Sequence, residues 1–181
     1  HFDLWLLIAS LFSIGIGSGA WHMHPTATTV LMDVFPITLF MNIYLISALR
    51  RFVGLSWRRS LCGWGLYVLL TFAGQIYLPP NLLHGTVMYL PTYMAMVALT
   101  FAIARRDHAL GKQFAVVTTV WSLSLIFRTV DLEICAALPI GTHFLWHMLN
   151  ATLLYILLKQ LVRNVNRVAR LKRQAGDSTM I

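Results

Sequence analysis

The 181-residue chain is 58% hydrophobic and only 11% charged, with a mean hydropathy of +0.70. So few polar side chains cannot cover a water-soluble domain of this size, so the composition excludes that class along with a disordered chain; two cysteines, Cys62 and Cys135, exclude a disulfide scaffold. The formal net charge of +8 would suggest nucleic acid in a polar chain, but its placement here argues otherwise.

Six apolar stretches are long enough to cross a bilayer, which takes about 20 helical residues. In chain order they cover about 3–22, 29–49, 61–78, 85–104, 113–127 and 142–162, the fifth being the shortest and weakest. The runs are continuous and lack the period-two alternation of a membrane β-barrel, so the expected fold is an all-α integral membrane protein with six transmembrane helices in one domain over 1–162. Short connections predict antiparallel neighbours. Residues 163–181 form a basic tail expected to leave the membrane as a helix that frays. The opening residues have neither an initiating Met nor the basic region of a signal peptide, and the expectation is that the natural N-terminus was lost or processed.

Thirteen of the fourteen Lys and Arg fall between the second and third stretches (Arg50, Arg51, Arg58, Arg59), between the fourth and fifth (Arg105, Arg106, Lys112), or from the end of the sixth onward (Lys159, Arg163, Arg167, Arg170, Lys172, Arg173). If six helices alternate, all thirteen share one side, and only Arg128 lies on the other. The positive-inside rule makes that side, and with it the C-terminus, cytoplasmic. The charge is explained by the membrane surface, and no nucleic-acid partner is needed.

The opposite side collects the chemistry. His22 ends the first stretch, Asp33 lies about one turn into the second, and His143 and His147 open the sixth. A His pair four residues apart puts two imidazoles on one helix face, a common zinc arrangement, and ionisable groups in an apolar helix are costly unless functional. Ser18 and His22 share the same spacing. His24 competes as a ligand, but Pro25 marks the end of the helix before it. Asp33 has a bland reading as a helix cap, against which Thr28 and Thr29 stand earlier in the chain. Arg128, Asp131 and Glu133 read as a surface ion-pair group in an outer loop, His84 and His108 as loop residues, Asn42 and Gln75 as interhelical hydrogen-bond partners, and Asn150 as a group supporting His147.

The segments GIGSGAWHMHPT, LMDVFPI and GTHFLWHMLNA together resemble the three motifs of the alkaline ceramidase family, within the CREST group of membrane hydrolases. The pattern Ser-x-x-x-His, then Asp, then His-x-x-x-His falls on Ser18, His22, Asp33, His143 and His147, and DLEIC before the last helix is also similar. The chain looks like a bacterial-type member. The family has seven helices, so the resemblance aligns the six stretches with helices two to seven and implies a first helix before His1. The calcium site of the animal members has no counterpart among these residues. The resemblance implies Zn2+ held by His22, His143 and His147, with a zinc-bound water attacking the amide of a ceramide-like N-acyl lipid to give a fatty acid and a long-chain amine, as in sphingolipid metabolism. Asp33 would move the proton and Ser18 would donate to the developing oxyanion. The implied partners are a long-chain lipid substrate and the bilayer; no protein partner is implied. The site would sit near the non-cytoplasmic face, which is the periplasm in a bacterium.

Other readings remain open at this point. A zinc lipase on another acyl lipid shares the motif, and a receptor-like protein with structural zinc shares the fold. A haem carrier is disfavoured because His143 and His147 are too close to sandwich a haem, and a transporter because charged groups do not line a path through the helices.

Overall fold

The computed structural model describes residues 1–178, and among them there is no strand. Six α-helices follow in order: α1 Phe2–Met23, α2 Ala27–Arg51, α3 Trp57–Tyr77, α4 Leu90–Ala104, α5 His108–Ile134 and α6 His143–Ser178, with a 3₁₀ segment Leu82–Tyr89 leading into α4. Five helical segments are long and apolar enough to cross a membrane, counting the 3₁₀ segment and α4 as one span. The large apolar residues on their outer faces, such as Trp5, Phe12, Phe35, Phe101 and Ile126, are exposed. Such faces are a liability in water and the normal lipid contact in a bilayer.

The chain divides into two compact units. The first holds α1, α2 and the part of α6 from Ile156 onward; the second is Phe52–Tyr155. In the first unit α1 stops where Pro25 predicts, with His24 as its C-cap. Thr26 and Thr29 then close a reciprocal cap on α2: the Thr26 hydroxyl accepts from the Thr29 amide at 3.2 Å, and the Thr29 hydroxyl accepts from the Thr26 amide at 2.8 Å. The two helices meet at Gly17, where a Cβ would run into the backbone of Met32 and Asp33. At the far end of the pair, Asp3 accepts from Arg51 at 2.6 Å and Ser47 at 2.9 Å, so the ion pair has a third partner to satisfy it.

In the second unit, α3 starts at Ser56, whose hydroxyl accepts from the Arg59 amide. It packs on α4 through Gly74 against Pro91 and a Tyr67–Thr92 hydroxyl contact of 3.1 Å. Two further hydroxyl pairs join α4 to α5, Thr100–Thr118 and Tyr93–Ser122, each 2.9 Å. Gly111 lies so close to Ala104 that no side chain fits between them.

Three sequence expectations change. The third stretch, expected as a span over 61–78, is the 21-residue α3, which carries Arg58 and Arg59 in its first turn, contains three glycines and Gln75, and is not among the five segments apolar enough to span. The fourth, expected over 85–104, is interrupted: Leu83, His84 and Gly85 have φ of 53°, 51° and 82°, a left-handed turn that halts the helix before Pro91 sets α4. The fifth, expected as the weakest at 113–127, is a 27-residue helix. Its polarity is masked, because Thr118, Thr119, Ser122 and Thr129 donate to carbonyls four residues earlier in the same helix, and Asp107 caps its start. The sixth continues past Val162 as a helix, as expected of the basic tail: α6 has 36 residues, and the last three residues of the chain lie outside those described.

Candidate metal and acid–base centre

The predicted site residues fall into two groups, one per unit. In the first unit, the close crossing at Gly17 sets the next residue, Ser18, against α2. The Ser18 hydroxyl hydrogen-bonds the Asp33 carboxylate, and the His22 imidazole, one turn further along α1, is within electrostatic reach of the same carboxylate. Asp33 lies well inside α2, beyond the Thr26–Thr29 cap, and is half-buried. The capping role that competes for an Asp near a helix start is therefore taken by threonine. His24 stands outside α1, and its carbonyl accepts from the Thr29 hydroxyl at 2.7 Å.

In the second unit, His143 and His147 stack edge to face on the first turns of α6, with ring centroids 4.8 Å apart and planes at 69°. Both are half-buried. The first turn is anchored by Asp131 of α5, whose Oδ1 accepts from the amides of Thr142 at 2.6 Å and His143 at 2.8 Å. Those are two of the donors a helix start leaves unsatisfied, and a carboxylate also suits the positive end of the helix dipole. The other oxygen, Oδ2, lies 3.8 Å from His143 Nδ1. Gly141, at φ 63°, makes room: a Cβ there would collide with Asp131. The Thr142 hydroxyl donates to the Phe127 carbonyl at 2.6 Å, and buried Ser124 reaches both the Trp146 carbonyl (3.2 Å) and Asn150 Oδ1 (3.0 Å).

These contacts correct two expectations. Arg128, Asp131 and Glu133 are not an ion-pair group in a loop. They lie within α5 and take separate partners: Arg128 stacks over Tyr89 and Trp146, Asp131 holds α6, and Glu133 pairs with His84 at 3.4 Å. Charges in an apolar helix take their contacts from whatever packs on it, here the 3₁₀ segment and α6. Asn150 braces α5 through Ser124. His108 is the first residue of α5 and not in a loop. Sequence reasoning missed Asp131 as a support for the histidines, although the signal was present: an acidic residue at the end of an apolar helix that precedes the Gly-Thr-His start of the next.

No protein-family profile, characterised protein or solved structure matches the chain.

Proposed function

We propose that the chain is a multi-pass membrane hydrolase, with Zn2+ held by His22, His143 and His147, that cleaves the amide bond of a ceramide-like N-acyl lipid. The observation that carries the reading is the His143–His147 pair on one face of α6 with Asp131 beside Nδ1 of His143. A carboxylate beside Nδ1 favours the tautomer that carries its lone pair on Nε2, the form in which an imidazole ligates a metal. The donor set fits zinc: three neutral imidazoles leave an open position in a tetrahedral site. His22 joins the pair on the strength of the motif order, Ser-x-x-x-His before the Asp and the His-x-x-x-His.

Zinc, when bound, supplies Lewis-acid activation of water near neutral pH. The chain's own residues do the rest. Asp33 accepts a proton from the attacking water and returns it to the leaving amine, completing an acyl transfer to water. Ser18 holds that carboxylate through its hydroxyl; the same hydroxyl turned toward substrate donates to the developing oxyanion. Apolar helix faces accommodate the acyl chains.

The test is zinc content and product analysis on protein purified in mild detergent. We expect about one zinc per chain, lost in His22→Ala, His143→Ala and His147→Ala, and release of fatty acid from ceramide. A folded wild type without zinc sinks the mechanism. Cleavage of ester lipids but not of ceramide replaces the amidase by a lipase, and bound zinc without turnover points to the receptor-like reading.

A further inference from the structure

Arg128 is the one Lys or Arg of the chain outside the three basic clusters of the sequence, and its surroundings are unusual. Its guanidinium carbon lies 5.5 Å from the centroid of Tyr89 and 5.5 Å from that of Trp146. The two rings meet each other edge to face at 5.1 Å. Among the described residues no carboxylate forms an ion pair with Arg128. The nearest acidic residues along α5 are committed elsewhere, Asp131 to the start of α6 and Glu133 to His84. The Arg128 Nε is buried and has no hydrogen-bond partner. On another side the guanidinium borders Gly85, in the left-handed turn, where a Cβ would come within 3.7 Å of Nη2. Thr86, the next residue, also has a buried hydroxyl without a partner.

An arginine carries five donors in a planar fork, and leaving them unused in an apolar helix is expensive. Cation–π contact with two rings fixes the plane of the guanidinium and offsets part of that cost, but it satisfies no N–H. The complementary ligand is a planar or tetrahedral oxyanion, a carboxylate or a phosphate. The same face of α5 continues with Leu132, one turn on and 65% exposed. A headgroup at Arg128 would therefore lie beside an apolar surface that suits a hydrocarbon chain.

We propose that Arg128, framed by Tyr89 and Trp146, is a binding site for the oxyanion of an acyl lipid, either the carboxylate of a fatty acid or the phosphate of a phospholipid. The site rests on the membrane reading alone and does not require zinc or hydrolysis.

The test uses the full chain in dodecyl maltoside, with binding of radiolabelled oleate, oleyl alcohol and dioleoyl phosphatidate measured side by side, inorganic phosphate as competitor, and zinc content assayed in the same samples. Wild type is expected to prefer one or both anionic lipids over oleyl alcohol by about tenfold or more. Arg128→Gln should erase the preference, and Arg128→Lys should keep part of it, because the charge survives without the fork. Which anion gains names the source, the fatty acid or the phospholipid. Equal binding of all three lipids by wild type overturns the proposal without recourse to any variant. So does an Arg128→Gln protein of native melting temperature that retains the preference. Inorganic phosphate competing as effectively as the anionic lipids overturns the lipid assignment. A wild type that lacks zinc but keeps the preference removes the hydrolase reading and supports this one.

Discussion

The two halves of the proposed centre are built by opposite means. On α1 and α2, Ser18 and Asp33 meet because the backbones come together at Gly17, with no side chain between them. On α5 and α6, the histidine pair is held by side-chain bonds: Asp131 on two amides, Thr142 on Phe127, Ser124 on Trp146 and Asn150. A glycine crossing brings helices close at low side-chain entropy but fixes little beyond distance. A hydrogen-bonded start fixes the rotation of the helix, which suits residues asked to aim ring nitrogens at a common point. The Ser18–Asp33 half thus depends on shape, and the imidazole half on polar satisfaction.

Substitutions can break this contrast. The largest effect is expected at Asp33, where Asp33→Asn should lower turnover about 10²–10⁴-fold with zinc content unchanged, measured as fatty acid released per bound zinc. Asp131→Ala should come next. Each buried amide it leaves unpaired costs about 1–3 kcal/mol, and loss of the carboxylate beside His143 should weaken zinc binding about 10–100-fold, read by chelator competition alongside a thermal melt. Gly17→Ala should destabilise by about 1–3 kcal/mol, because backbone and not a flexible side chain must give way, and it should lower turnover with little change in zinc affinity. If Gly17→Ala impaired zinc binding as much as Asp131→Ala does, the division of labour would be wrong. The smallest effect sharpens the picture: Ser124→Ala should cost about 1 kcal/mol in a melt and leave turnover near wild type, since it removes one brace among several.

Much of this was legible in the residues. Hydropathy revealed the helical class, Pro25 marked the end of α1, and the spacing from Ser18 to His22 put both on one face. The left-handed backbone at Leu83 and His84 was not legible: both were expected outside the helices, His84 in a loop, but L-residues rarely adopt that conformation and nothing in their identity signals it. Nor was the length of α5, where hydroxyls that look polar in sequence bond to their own helix. Asp131 was misread for a related reason. Nearby charges of opposite sign suggest an ion pair, yet Asp131 and Arg128 are each drawn to a separate neighbour once tertiary packing supplies better partners.

If the chain inserts in a membrane, Asp131 would also constrain the order in which it can be assembled. The first amides of α6 have their acceptor on the preceding helix, and in hydrocarbon an unsatisfied amide costs several kcal/mol. Synthesis from the N-terminus presents α5 first, so on insertion α6 would emerge after its acceptor. A circular permutant that delivers α6 ahead of α5 would have to insert those amides bare, and should stall at insertion even though every contact of the finished fold remains available to it.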